Sequence, residues 1–207
     1  MRCLIVLAAL CVALPTAPSE LHTWNFRVLL DDRDIGEHRF TLRAAGDERE
    51  LVSEARFDVK LLFVNAYRYR HEALERWDGN CLRSLAASTE TNGQTLTVNA
   101  ALRDGRLVVD RPDAREAYEG CVMTFAYWNP RILAAQRLLN SQTGELLPVK
   151  VTPQGEQTAY VRGERRPAER YRIEAPGLQI DLWYAEGQWV ALEAPASGGR
   201  RLRYELM

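Results

Sequence analysis

Apolar and polar residues alternate at every second position through most of this chain, and that period, more than any other feature, restricts what it can fold into. Side chains of a strand point alternately to opposite faces, so a period of two marks a half-buried strand and is incompatible with a sustained amphipathic helix. Trp24, Phe26, Val28 and Leu30 share one parity, and Asn25 and Arg27 take the other. His38, Phe40 and Leu42 repeat the pattern against Arg39, Thr41 and Arg43, as do Leu51, Ala55, Phe57 and Val59 against Glu54, Arg56, Asp58 and Lys60. Tyr67, Tyr69, His71 and Ala73 form a further apolar face opposed by Arg68, Arg70, Glu72 and Arg76.

Turn signals separate these runs. Asp78-Gly79-Asn80 and Asn92-Gly93 are strong hairpin sequences, and Asp31 to Asp34, Arg103-Asp104-Gly105 and Ala185 to Gln188 are further turns. Between them lie strand candidates at 81–91, 94–102 and 107–110, followed later by 147–151, 158–162, 169–173, 178–184, 189–194 and 202–206. One helix is expected. Asn129 is a suitable N-cap, Pro130 a suitable first residue, and Ile132, Leu133, Ala135 and Leu139 give an apolar stripe that Asn140 ends. At about ten residues it needs tertiary packing to be stable. The expected fold is therefore mainly β: a single curled antiparallel sheet or open barrel of about a dozen short strands with one short helix packed on it.

The N-terminus reads differently. Met1-Arg2 leads into an apolar run from Cys3 to Leu14, then Pro15 to Ser19 supplies small residues before polar sequence starts at Glu20. This is the build of a secretory signal peptide over residues 1–19, too short in its apolar part for the roughly 20 residues a transmembrane helix needs. Residues 20–207 then form one β-rich domain without a transmembrane segment, placed in the periplasm or secreted. A lipid anchor at Cys11 is disfavoured by Leu10, where a small residue is wanted. The net charge of −1 provides no basic field for nucleic acid. Of four cysteines, Cys3 and Cys11 leave with the signal; Cys81 and Cys121 remain and are expected to pair in an oxidising compartment.

The run Gly120-Cys121-Val122-Met123-Thr124-Phe125-Ala126-Tyr127-Trp128-Asn129-Pro130, with Leu138 to Glu145 after it, resembles an uncharacterised family of exported proteobacterial proteins, domain-of-unknown-function family 6134. The likeness extends to Phe26-Arg27-Val28, Ile35 to His38, Tyr67 to His71, Asp181 to Tyr184 and Arg201 to Leu206, and so covers essentially the whole mature chain. The resemblance implies no reaction, cofactor or catalytic residue. At the level of architecture the pattern is also similar to half-barrel periplasmic lipoprotein carriers, which implies an apolar ligand in the concave face; folds host many functions.

No Gly-x-Ser-x-Gly elbow, His-Glu-x-x-His helix, Cys-x-x-Cys pair or phosphate-binding glycine loop occurs in the sequence. His38 and His71 lie on apolar parities, either lining a cavity or serving as hydrogen-bonded core residues. Phe125 to Pro130 places three aromatics before the expected helix, as the mouth of an apolar pocket with Asn129 presenting donors, or as a wedge with Asn129 as cap. Asp181 is a solvated outer-face carboxylate near arginines on one reading and, beside Trp183, a general acid on another. The arginine rows at Arg68, Arg70 and Arg76 and at Arg200, Arg201 and Arg203 either contact lipid phosphates at a membrane surface or, with Glu72, Glu75 and Glu205 among them, form outer faces with cross-strand ion pairs, the second being the preferred reading.

These residues support a binding or carrier module for an apolar or lipid-like ligand, with Trp24, Phe26, His38, Phe40, Phe57, Tyr69, His71, Tyr127, Trp128, Asn129 and Leu139 as candidate ligand contacts, and with no metal, cofactor or nucleic acid. An envelope scaffold engaging a protein partner is the alternative, and a hydrolase or isomerase around His38, His71 and Asp181 is the outsider. Export makes a direct prediction: N-terminal sequencing of protein from the cell envelope begins near Glu20, and an intact Met1 on cytosolic protein would refute it.

Overall fold

The computed structural model describes residues 20–61 and 64–207. The expected signal peptide, residues 1–19, lies outside the described residues. Thirteen strands form one sheet among them. Eight come first: β1 (Glu20–Leu30), β2 (Arg33–Ala45), β3 (Glu48–Leu61), β4 (Val64–Asp78), β5 (Cys81–Thr91), β6 (Gln94–Arg103), β7 (Arg106–Arg111) and β8 (Ala114–Glu119). After a crossing segment that carries the small hairpin β9 (Arg137–Leu139) and β10 (Leu146–Pro148), the sheet resumes with β11 (Lys150–Val161), β12 (Glu164–Ala175), β13 (Leu178–Ala185), β14 (Gln188–Ala196) and β15 (Arg200–Leu206).

Every neighbour in the sheet is antiparallel, in the order β11-β12-β13-β14-β15-β1-β2-β3-β4-β5-β6-β7-β8. Hairpin turns explain the meander. Asn92 and Gly93 both have positive φ (52° and 86°), as do Asp104 and Gly105, Arg162 and Gly163, and Glu186 and Gly187. Turns of this kind match the right-handed twist of their strands. The sheet rolls rather than stays flat. Register shifts interrupt pairing at Val28/Leu29, Arg76/Trp77, Pro153/Gly155 and Trp183/Tyr184, and such bulges sharpen twist and bend the strand. At Gly36 (φ 139°) β2 comes so close to β3 that a Cβ would lie 1.9 Å from the Arg56 carbonyl oxygen. Only glycine permits that approach. On one side the roll meets itself, with Val161 of β11 bridging Leu206 of β15.

The apolar parities read from the sequence face inward. Trp24, Phe26, Val28, Leu30, Phe40, Leu42, Leu51, Ala55, Phe57, Tyr69 and Ala73 are all buried in one continuous core. The crossing segment, residues 120–149, fills the concave side. Cys81 and Cys121 are disulfide-bonded across a separation of 40 residues, fastening its start to β5 beside the hydrogen bond from Leu82 N to Val122 O. Further on, Ile132, Leu138 and Leu139 have no exposure at all. Thr124 bridges Leu139, and the Tyr184 hydroxyl of β13 donates to the Tyr127 carbonyl at 2.7 Å.

The expected helix does not form. Pro130–Ala134 makes one 3-10 turn, with Asn129 capping it by accepting from the Arg131 amide as anticipated, and the chain is extended again by Ala135. Leu139, expected on a helical stripe, belongs to β9. The buried positions do not keep a helical period: Ile132, Leu138 and Leu139 are buried while Arg131, Ala134, Gln136 and Arg137 are exposed, and the adjacent Leu138 and Leu139 are held instead by strand pairing with Leu147 and Leu146. The strands expected at 147–151 and 158–162 are in fact the end of β9's partner β10 and one long β11. Strand β8, flanked by charge and mostly exposed, was not expected. No helix among the described residues is long and apolar enough to cross a membrane, which says nothing of crossing by strands.

The disulfide closes a loop whose entropic contribution is about 4 kcal/mol. Replacing both Cys81 and Cys121 by serine therefore lowers unfolding free energy by up to that amount in urea titration. An unchanged midpoint would show that the crossing segment is held by its packing alone.

Candidate functional site

Strands β2, β3, β4 and β15 direct a row of polar side chains into the roll. His38 lies opposite Ala55, and Ala55 lies opposite His71, so one small residue separates two imidazoles whose centroids are 6.5 Å apart. His38 Nε2 is 2.8 Å from Ser53 Oγ and its Nδ1 is 3.2 Å from the Tyr204 hydroxyl. His71 Nδ1 is 2.9 Å from Thr89 Oγ1, its cross-strand partner on β5. Burial, with a smaller contribution from His71, holds His38 well below the usual imidazole range. Burial pushes His71 down to about 4. Both rings are neutral at pH 7.

Four residues further along β4 from His71, Glu75 shares its parity. It is 4 % exposed, and it accepts from Trp77 Nε1 at 3.1 Å and from Thr124 Oγ1 at 3.3 Å. Both bonds fall on Oε2. Burial pushes its carboxyl up from 4.5 to about 7, against the two hydrogen bonds, which favour the charged form. Its other oxygen, Oε1, receives neither of these bonds, and no guanidinium or other cation pairs with Glu75 among the described residues.

These groups border a cavity of about 200 Å³ between the sheet and the crossing segment. Its polar wall includes His38, Ser53, His71, Glu75 and Tyr204 from the sheet and Asn140, Ser141 and Gln142 from the crossing segment, and its apolar wall includes Phe40, Phe125, Ile180 and Leu192. Trp128 also borders it, edge-on to Trp77 at 5.6 Å, with Nε1 buried and without a hydrogen-bond partner. A more open depression of about 530 Å³ holds Arg43, Arg49, Arg76 and Arg83. Its charges are largely spent: Arg76 pairs with Glu50, Arg83 with Asp78, and Arg49 donates to the Gly79 carbonyl.

The sequence-derived candidates thus divide. His38, Phe40, His71, Tyr127 and Trp128 border the cavity. Trp24, Phe26, Phe57, Tyr69 and Leu139 pack in the surrounding core, Phe57 stacked on Tyr69 at 5.1 Å. Asn129 caps the 3-10 turn and donates to Asn80. Glu75, read as an outer-face charge, is buried. It shares the odd parity of His71, Ala73 and Trp77, and its type alone misplaced it. Ser53 shares the parity of Leu51 and Ala55, and Tyr204 the β15 position opposite Val28; neither was singled out. Asp181 lies away from the cavity, 6 % exposed rather than solvated, and bonded to Arg170 at 2.7 Å and Arg172 at 2.8 Å. Burial raises its carboxyl, but the hydrogen bonds from Arg172 and Arg170 outweigh that and leave it below its usual range, ionised and unsuited to donating a proton. No group of three or more His, Cys, Asp or Glu among the described residues is placed to hold a metal ion.

Fold and site together define a β-barrel-like protein whose rolled sheet carries its crossing segment on the concave side, with a small polar-edged cavity between the two. The chain belongs to the family described as domain of unknown function DUF6134, whose model matches residues 26–207. Among solved structures it is similar to a beta-barrel-like protein of domain of unknown function DUF1849 from Brucella abortus, at 13 % identity and TM-score 0.65, with 94 % of this chain and 98 % of that one covered. That likeness concerns the fold. No curated protein matches the chain.

Glu75 and His71 set opposite pH dependences. Between pH 4.5 and 7 the folded protein keeps a proton on Glu75 that the unfolded chain releases, so this contribution to stability is present below 4.5 and is lost as pH rises through 7. His71, lowered from 6.5 to about 4, contributes stability above 6.5 that is lost as pH falls toward 4. Glu75→Gln removes only the first effect. Relative to wild type, the variant gains about 3 kcal/mol between pH 4 and pH 8. Urea denaturation at the two pH values measures this, and parallel stability curves would mean that Glu75 titrates as an exposed carboxyl.

Proposed function

We propose that residues 20–207 form an exported binding module, acting in the periplasm or outside the cell, that holds a small and largely apolar ligand in the cavity between sheet and crossing segment. The supporting observation is the cavity's combination of an apolar wall with a buried carboxyl, Glu75, whose hydrogen bonds from the protein both fall on Oε2. A buried carboxyl with one oxygen left without a hydrogen-bond donor is costly when nothing occupies the space beside it. Apolar cavities of about 150 Å³ accept benzene, and drug-sized sites begin at roughly 300 Å³, so a cavity of about 200 Å³ suits one ring with a short polar substituent. An acyl tail longer than that has to displace the crossing segment, which gives this segment the role of a plug. Phe40, Tyr127 and Trp128 contact the ligand body, while Trp24, Phe26, Phe57, Tyr69 and Leu139 support the wall behind them.

Native mass spectrometry of protein purified from its own envelope tests the reading. A bound small molecule is expected on the wild type and is absent from Ala73→Leu, whose larger side chain occupies cavity space at a wall position. Wild-type protein that carries no ligand, and binds none from an extract of the same envelope, overturns it. Trp128→Ala is the companion variant: affinity falls more than tenfold, or about 1.4 kcal/mol.

A further inference from the structure

The cavity's charge pattern specifies its ligand more narrowly. Among its lining residues there is one carboxylate, Glu75, and no lysine or arginine. His38 and His71 face the same space as neutral rings, and Tyr127 and Tyr204 keep their hydroxyl protons because burial raises both. Glu75 receives only the neutral donors Trp77 Nε1 and Thr124 Oγ1, both on one oxygen. The cation on the adjoining element, Arg49, lies 5.9 Å over the Trp128 ring and is committed to the Gly79 carbonyl. A carboxylate this deeply buried is expensive unless it is paired, and no described residue pairs with it.

We propose that the cavity binds a small organic cation, a primary or secondary ammonium on a compact apolar body, with the ammonium donating to Glu75 and the body against Phe40, Phe125 and Tyr127. Resting on the binding reading above, this inference names the ligand's chemical class. Electrostatics of the walls agree with it: aromatic faces attract a cation that has lost its water, and neutral imidazoles do not repel it. His71 and Ser53 also line the cavity as neutral polar groups. A carboxylate ligand would meet Glu75 with no cation to separate the two charges. Pairing with an ammonium also favours the ionised form of Glu75, so binding strengthens as pH rises from 6 to 8, a range in which an alkylammonium remains charged.

Benzylamine, benzyl alcohol and benzoate are nearly equal in size and differ in charge, which makes them suitable probes in calorimetric titration of the mature protein at pH 8. Benzylamine is expected to bind at least tenfold more tightly than either of the others. Glu75→Gln removes that preference while benzyl alcohol binding stays within threefold, and Ala73→Leu removes binding of every probe. Equal binding of benzylamine and benzyl alcohol, or a preference that survives in Glu75→Gln, overturns the cationic assignment and leaves the cavity as a binding site. Failure of all three probes to bind, together with ligand-free protein in native mass spectrometry, overturns the binding reading itself.

Discussion

A wide antiparallel sheet with one apolar face has to bury that face, and in this protein it does so against its own crossing segment. Rolling alone would leave a hollow too broad for strand side chains to fill. Residues 120–149 fill most of it, fixed at the start by Cys81–Cys121 and at the middle by Tyr184 on the Tyr127 carbonyl. The position of nearly everything else follows. Trp77 is covered by Trp128, Trp189 by Tyr127 at 5.2 Å, and Glu75 is reached by Thr124 because this segment lies over them. The cavity is the space it leaves unfilled.

Polar groups within that space are arranged so that none carries a compensated charge. Neutral histidines bonded to Ser53, Tyr204 and Thr89 satisfy one another across β2, β3, β5 and β15, and cost little beyond their own desolvation. Glu75 is different, because neutral donors on one oxygen cannot replace the hydration of a carboxylate. The carboxylate of Asp181 is equally buried yet stays ionised, since two guanidiniums face it. The contrast between the two acids locates the unmet demand inside the roll and not on its outer face.

Much of the sheet was legible because period-two alternation depends only on strand geometry: the inward sets of β1 to β4 and the turns at Asn92-Gly93 and Asp104-Gly105 could be read directly. What could not be read shares one cause. Long-range packing overrides what residue type suggests, so Leu139 looked like part of a helical stripe, and Glu75 on the parity of His71 and Trp77 looked like surface. Parity was the better guide in the second case. The pairing of Ser53 with His38 and Tyr204 depends on long-range register between β2, β3 and β15, which no local pattern encodes. Ser53 and Tyr204 were therefore missed, although Ser53 sat on a parity already assigned to the interior.

The pairing of the first strand with the last, Phe26 opposite Leu206 and Arg27 opposite Glu205, has a bearing on how the chain reaches this state. Most neighbours in the sheet are successive hairpins that can zip locally as they emerge, whereas β1 gains its second partner only when the final residues are available. Contacts of such long sequence separation are slow to form. A chain delivered N-terminus first, from a ribosome or through a secretion channel, thus stays open along β1 until delivery is complete. The C-terminal strand acts as the clasp, so loss of a few residues at the end also takes away the second partner of β1.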